Sequence, residues 1–230
     1  MTMLNDFLPT SATWGVLLTL AAFALGTFIN RKTGKAIFNP LLLGTVFVIV
    51  FLSVCSIPYA DYKASASPVS YLLLPATVSL AVPLYEKWDL LRKNVLAIAM
   101  GILAGTLASL GSVLVLLKLD HSQYITLLPK SVTTAISMDV SHELGGIAAL
   151  TGAIVILTGI LGALMAETVC KVCHITHPIA RGIGIGTAAH AVGTSKALQM
   201  GEVEGAMSGL AVAVAGVMTA ILCPIFSSLI

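Results

Sequence analysis

Residues 147–169 read IAALTGAIVILTGILGALMAETV, an aliphatic run that contains one charged side chain, Glu167. A helix needs about 20 predominantly apolar residues to cross the hydrocarbon core of a bilayer. This run therefore predicts a membrane-spanning helix. Four further runs are predicted as spans on the same grounds: residues 14–29, 41–57, 95–117 and 206–226.

The composition of the whole chain agrees with these runs. Hydrophobic residues make up 57% of the 230 residues and charged residues 10%, whereas soluble domains average about 45–50% and about 25%. We therefore predict an all-α, polytopic transmembrane bundle surrounded by the lipid bilayer. The formal net charge is only +2, and no basic stripe alternates with aromatic residues, so nucleic acid is not an expected partner.

Three apolar stretches are too interrupted to be simple spans. Irregular backbone is tolerated at membrane depth only where protein or a water-filled cavity covers it. We therefore predict that these stretches are broken or re-entrant helices. They are residues 71–88, 127–146 and 180–201, and the predicted breaks are Pro75, Pro83, Pro129, Gly186 and Gly193.

A weak internal similarity suggests two repeats. LAVP at residues 80–83 aligns with HAVG at residues 190–193, and each is followed by a polar stretch and a Gly/Ala-rich run. We predict inverted repeats over residues 1–118 and 119–230, within one integral membrane domain. Paired interrupted segments of this kind are typical of a binding site near the membrane midplane.

The stretch from Lys130 to Thr134 is the first candidate for that site. Pro129 followed by hydroxyl residues is typical of a helix start, where free backbone N–H groups attract an anion. The predicted carboxylate ligands are Lys130, Ser131, Thr133 and Thr134. The alternative is a loop in which the lysine reaches the membrane interface and the hydroxyls cap a helix.

The second candidate is the glycine-rich stretch around His190. An ionisable group inside a membrane segment indicates function, and the pKa of histidine suits proton coupling. The alternative is a neutral imidazole hydrogen-bonded between helices. We expect an opposing wall of Thr187, His190, Thr194 and Ser195, with Tyr85 as the first-half counterpart.

Two groups of possible metal ligands have simpler interpretations. Asp139, His142 and Glu143 share a helix face and indicate a solvated helix end, with gating or cation coupling by Asp139 and Glu143 as the alternative. Residues 170–174 spell C-x-x-C-H, which we interpret as another helix end, with haem attachment and zinc as alternatives. No Gly-x-Ser-x-Gly motif is present. We predict no enzyme activity, no metal and no cofactor.

Four ordered motifs resemble the LrgB/CidB family over nearly the whole chain. They are LLPATVSLAVPLYEKW at residues 73–88, LPKSVTTAISM at 128–138, GGI at 145–147 and ARGIGIGTAAHAVGTSKA at 180–197. The family is similar to the C-terminal part of the plastid glycolate/glycerate transporter. The resemblance implies a bacterial inner-membrane protein with a separate LrgA/CidA-type small membrane partner, and self-association into a homo-oligomer is also expected.

Two functions follow from the motifs and the resemblance. The main expectation is a proton-coupled, alternating-access carrier for a small organic acid anion such as pyruvate, glycolate or glycerate. The rival is an antiholin-like regulatory membrane protein that modulates murein hydrolase export and cell lysis. The carrier is preferred because hydroxyls and unwound backbone at depth are costly unless a ligand or water meets them.

Overall fold

The computed structural model describes residues 13–33, 38, 40–72, 75, 78–79, 81–115 and 119–229. All regular secondary structure in these residues is helical, which confirms the prediction of an all-α membrane protein. The helices are α1 (Trp14–Thr33), α2 (Pro40–Val54), α3 (Tyr59–Ser65), α4 (Ser67–Tyr71), α5 (Ala81–Glu86), α6 (Trp88–Lys93), α7 (Val95–Leu114), α8 (His121–Leu127), α9 (Thr134–Glu143), α10 (Ala148–Val172), α11 (Pro178–Met200) and α12 (Glu202–Ser227).

Four of the described helices are long and apolar enough to cross a membrane: α1, α7, α10 and α12. The fifth predicted span, residues 41–57, is shorter in the structure. Helix α2 has 15 residues, about 22 Å at 1.5 Å per residue, against a hydrocarbon core of about 30 Å. It ends because Ser56 takes a left-handed conformation with φ 52° and Pro58 follows.

The chain divides into two compact units, Met1–Ser79 and Leu80–Ile230. In the first unit α1 packs against α2, and α3 contacts α1 where the hydroxyls of Thr19 and Tyr62 lie 2.8 Å apart. Trp14, Leu52 and Ile57 form its buried apolar cluster. The predicted repeats, which divide between residues 118 and 119, concern internal similarity and stay a prediction.

Helix α11 of the second unit reverses direction at His190. The backbone there is non-helical, with φ 41° and ψ −141°. Ile185 and Ala197 lie on opposite sides of this point, yet both belong to one buried cluster with Ala166 of α10. In a straight helix they would be about 18 Å apart. The helix is therefore two antiparallel arms, which we call the second hairpin.

Both arms of the second hairpin contact α12. A Cβ built on Gly186 of the first arm would lie 2.5 Å from the Ser208 carbonyl oxygen. Thr194 of the second arm places its hydroxyl 2.8 Å from the Ser208 hydroxyl. The two arms thus converge on one turn of α12.

Helices α8 and α9 form a comparable pair of helical arms, which we call the first hairpin. The Ser137 hydroxyl donates to the carbonyl of Pro129 at 2.6 Å across the connection between them. Farther from the connection, Thr126 and Ser141 are joined through Thr151 of α10. Contacts at both levels show that α8 and α9 run antiparallel.

The bases of the two hairpins lie at opposite ends of α12. At its first turn, Glu204 pairs with Arg181 of the second hairpin. At its last turn, the carbonyl of Phe226 accepts a hydrogen bond of 2.9 Å from the Tyr124 hydroxyl of the first hairpin. With 26 residues, α12 is about 39 Å long. The hairpins therefore enter the bundle from opposite membrane faces.

The reversal at His190 corrects the breaks expected at Gly186 and Gly193. Both glycines have helical backbones, and each lies where a neighbouring atom leaves no room for a side chain. A Cβ on Gly193 would lie 2.6 Å from the Cβ of Ala189. These glycines therefore permit close packing, and the chain turns at a non-glycine residue.

The three predicted proline breaks have different outcomes. Pro129 lies in the non-helical connection of the first hairpin. Pro83 lies within α5, where a first-turn proline costs no intrahelical hydrogen bond, and that helix ends at Glu86 instead. Residues 73–74 and 76–77 around Pro75 lie outside the described residues, so a break there stays a prediction.

Candidate functional site

The tip of the second hairpin is built around the His190 imidazole. Its side chain is buried, and Nε2–H donates to the carbonyl of Val155 in α10 at 2.9 Å. Because a carbonyl only accepts, Nε2 carries the proton. Space for the ring comes from Gly159, where a built Cβ would lie 2.7 Å from the imidazole.

The hydroxyls near His190 bond to the protein itself. The Thr194 hydroxyl donates to the His190 carbonyl at 3.0 Å. Because a hydroxyl has a single hydrogen to donate, the Ser208 hydroxyl is the donor in its contact with Thr194. Thr187 donates to the Ile183 carbonyl of its own helix at 2.9 Å. Ser195 is exposed. Of the predicted wall, Thr187, His190 and Thr194 are buried together and Ser195 is not.

The tip of the first hairpin contains the predicted anion ligands. Lys130 is half-buried and its ammonium lies 3.4 Å from the buried Ser131 hydroxyl. Thr133 occupies the N-cap of α9, yet its side chain makes no capping hydrogen bond. Thr134 begins the helix and is half-buried.

The two tips lie beside neighbouring turns of α10. A Cβ built on Gly152 would lie 3.6 Å from the Thr134 methyl group, and Val155, three residues later, accepts from His190. Three residues of helix rise about 4.5 Å. The structure thus brings the tips near one level of α10, although no described hydrogen bond joins them.

The other predicted site residues lie away from both tips. Tyr85 is 80% exposed, so it forms no part of a buried wall. Asp139 and Glu143 are exposed on α9, and neither forms an ion pair within the part of the chain that the structure describes. In the same part, no three His, Cys, Asp or Glu side chains converge as metal ligands.

A buried hydroxyl network was not anticipated from the sequence. Thr151 of α10 donates toward the Thr126 carbonyl at 2.9 Å and lies 2.7 Å from the Ser141 hydroxyl. The Thr126 hydroxyl in turn accepts from the Ile147 backbone N–H at 2.9 Å. A single threonine in an apolar run looks like a residue bonded to its own helix, so only the three-helix packing reveals the network.

A lone buried hydroxyl was also missed. Thr106 of α7 is 1% exposed, and its Oγ1 has no hydrogen-bond partner in the described residues. Next to it, Gly105 contacts Thr187 of the second hairpin. One turn farther, Leu110 packs in the cluster of the first hairpin. Thr106 therefore lies where α7 passes from one hairpin to the other.

Among the described residues, three ion pairs lie near the base of the second hairpin. Lys196 of its second arm pairs with Glu167 of α10 at 2.5 Å, and Arg181 Nη1 lies 3.8 Å from the buried Glu204. Lys87 pairs with Glu202 at 2.9 Å, and that hydrogen bond raises the pKa of Lys87. Both arms of the hairpin are thereby tied to neighbouring helices.

Comparisons with known proteins give one consistent family. The model of the LrgB-like family matches residues 19–229. The Antiholin-like protein LrgB of Bacillus subtilis (strain 168) is 38% identical over 221 residues, which cover 94% of this chain and 96% of that protein. Proteins of the same name from Bacillus mycoides (strain KBAB4) and Bacillus cereus (strain B4264) are 36% identical over 217 residues, 93% of this chain and 94% of each relative. No solved structure matches.

These relatives correct the expectation of a monocarboxylate carrier, because their names describe antiholin-like proteins and not transporters. The physical argument for a carrier also fails in part. It required a ligand or water to meet the deep hydroxyls, but those of Ser137, Thr151 and Thr194 bond to protein atoms. Polar groups satisfied in this way do not require a substrate.

Proposed function

The chain belongs to the LrgB-like family, and from that membership we propose that it is an antiholin-like regulator in the bacterial inner membrane. In this proposal it acts with a small LrgA/CidA-type membrane protein to restrain murein hydrolase export and cell lysis. The observation that carries the proposal is similarity to antiholin-like proteins over nearly the full length of both chains. No catalytic step is involved.

The internal bonding of the second unit supports a scaffold role. Its deep hydroxyls are largely used within the protein, and the ion pairs of Lys196 and Arg181 hold the second hairpin to its neighbours. A regulator of this kind presents a defined outer surface to lipid and partner. It does not need an open polar path for a solute.

Exposed apolar stripes supply surfaces on which a membrane partner would pack. On α10, Leu157, Leu161 and Met165 are each more than half exposed and follow one another every four residues. Side chains at this spacing lie on one helix face. Helices associate in membranes through close packing of such faces, and the proposed partner and a second copy of this chain both bring apolar helices.

Complementation of lysis control tests the proposed function. The chain is expressed in a bacterial strain that lacks its own LrgB-like protein, with and without the LrgA/CidA-type partner, and murein hydrolase activity in the medium is measured by zymography. We expect later lysis and less exported hydrolase, with the full effect only when the partner is present. Unchanged lysis and hydrolase export in a strain that contains both proteins in the membrane would refute the proposal.

Association of the chain with the small partner, and with a second copy of itself, is measured in a separate experiment. Differently tagged copies of the chain, and a tagged LrgA/CidA-type partner, are co-purified in mild detergent. We expect the partner to co-purify, and self-association to appear as recovery of both tags. Replacement of Leu161 by Lys, on the exposed stripe, is expected to weaken recovery if this face is the contact, whereas Met165→Leu keeps the face apolar and serves as control.

A further inference from the structure

A cavity of about 220 Å³ lies between the end of α10 and the base of the second hairpin. It is lined by Glu167, Cys170, Lys171, Arg181 and Met200. Arg181 and Met200 come from opposite ends of α11, so the cavity exists only because that helix reverses. Its volume corresponds to about seven water molecules at roughly 30 Å³ each, which leaves room for a small polar group.

The charges at this cavity favour an anion. Glu167 is already paired with Lys196, and Glu204 lies opposite Arg181. Lys171 forms no direct ion pair with a described residue. The carboxylates of Glu167 and Glu204 thus face three cations, namely Lys171, Arg181 and Lys196. One positive charge is left in excess near the cavity wall.

Arg181 is oriented with donors to spare. Its Nε–H donates to the Ile175 carbonyl at 2.8 Å, which holds the guanidinium in place. The Nη1 atom lies 3.8 Å from the Glu204 carboxylate, too far for a direct hydrogen bond. A guanidinium has five N–H donors, and their geometry suits the oxygens of a phosphate group.

The depth of the cavity also matches the layer of lipid phosphates. Helix α10 has 25 residues, about 37 Å at 1.5 Å per residue, and exceeds the roughly 30 Å hydrocarbon core. Cys170 and Lys171 lie in its last turn. That turn therefore reaches the headgroup region.

We propose that this cavity binds a phosphate group, with Lys171 and Arg181 as its cationic ligands and Cys170 and Met200 as its apolar floor. The same chemistry is supplied by the headgroup of an anionic phospholipid and by free inorganic phosphate. When the bound phosphate belongs to a lipid, such a site anchors the base of the second hairpin to the membrane surface, a role separate from the lysis control proposed above.

Binding is measured on the purified full chain in detergent by the rise in thermal unfolding temperature. Phosphatidylglycerol, phosphatidylcholine and inorganic phosphate are titrated in separate arms. We expect Lys171→Gln to weaken binding roughly fivefold, the effect of one basic residue near a charged surface. Lys171→Arg, which keeps the positive charge, is expected to retain binding. Met200→Trp, which fills the cavity without changing charge, abolishes binding, whereas Met200→Leu retains it.

Lys93→Gln is the matched control, because Lys93 is also an exposed lysine in the last turn of a helix. Binding of phosphatidylglycerol alone assigns the site to lipid, and equal binding of inorganic phosphate assigns it to the free anion; both results support the proposal. If Lys171→Gln and Met200→Trp bind every probe like the unaltered chain, or if Lys93→Gln weakens binding equally, the proposal is overturned.

Discussion

His190 holds a backbone conformation that non-glycine residues rarely adopt, with φ 41° and ψ −141°. Such a residue costs about 1–3 kcal/mol and persists only where its surroundings enforce it. Here the enforcing contacts are the hydrogen bond to Val155 and the close fit of the ring against Gly159. The His190 side chain, for which the sequence left proton coupling and a neutral imidazole bonded between helices as alternatives, therefore holds a helix reversal.

Gly159→Ala tests this role of His190. The new Cβ would lie 2.7 Å from the imidazole, so the ring and the hairpin must shift, at a cost of about 1–3 kcal/mol. We expect a lower unfolding temperature in detergent. Gly111→Ala in α7, where a Cβ meets nothing within 4 Å, is expected to leave stability unchanged or raise it slightly; an equal loss in both variants contradicts the account.

Two threonine substitutions are expected to change the stability of the protein in opposite directions. Thr106→Val removes a buried hydroxyl that has no partner among the described residues, which we expect to stabilise by about 1 kcal/mol. Thr194→Val breaks the bond to Ser208, which we expect to destabilise by about 0.6 kcal/mol, typical for hydrogen bonds between membrane helices. Thermal unfolding of both variants side by side checks the signs, and a loss of stability in Thr106→Val would show that its hydroxyl is used.

At the level of elements, Thr151 of α10 bonds to both helices of the first hairpin. The Thr151 hydroxyl reaches both Thr126 of α8 and Ser141 of α9. All three side chains are buried, so none can turn to water if the contact is lost. The apolar packing of this hairpin is thus supplemented by a three-helix polar contact.

Thr151→Val is expected to loosen that hairpin selectively. Leaving the Ser141 hydroxyl and the Thr126 carbonyl without this partner costs about 1–3 kcal/mol, and hydrogen exchange over residues 121–143 is expected to accelerate. Thr158→Val is the control, because it makes the same change two turns along α10 at a half-buried threonine. Equal exchange of residues 121–143 in both variants would show that the network contributes nothing.

For the molecule as a whole, α12 relates the two hairpins. Its first turn contacts the base of the second hairpin and its last turn contacts the first. Because a helix of this length crosses the bilayer, the two bases face opposite sides of the membrane. Two broken elements of the second unit therefore begin at opposite ends of α12. Both lie within the second predicted repeat, residues 119–230, so their arrangement does not test the repeats.

Labelling with a membrane-impermeant maleimide checks this topology. Cys173 is exposed at the base of the second hairpin; one variant retains it alone, and another replaces all four cysteines and carries His142→Cys at the exposed base of the first hairpin. We expect the two variants to react from opposite sides, in intact cells and in inverted vesicles. A variant that retains only the buried Cys223 is expected to react from neither, and labelling of both bases from one side would refute the arrangement.

Much of the architecture was predictable from local sequence. Apolar runs of about 20 residues predicted α1, α7, α10 and α12, because the bilayer thickness sets span length. Interrupted runs correctly indicated broken helices at residues 127–146 and 180–201. Pro129 lies in the first break, where proline disfavours a continuous helix, whereas the second break falls at His190 and not at the predicted glycines. The four motifs indicated the family, but the carrier function expected from the resemblance is wrong, because the relatives are named antiholin-like proteins.

By itself, then, the sequence determined the helical class, the long spans, two of the broken elements and the family. Only the tertiary structure decided that α11 reverses at His190 and that the glycines beside it serve close packing. It also decided which deep hydroxyls are satisfied. The reason is physical: the partners that matter lie far apart along the chain, as with His190 and Val155, 35 residues apart, or Thr126 and Thr151, 25 residues apart. Composition and periodicity report a residue's local preference, whereas a buried polar group is governed by the helix packed against it.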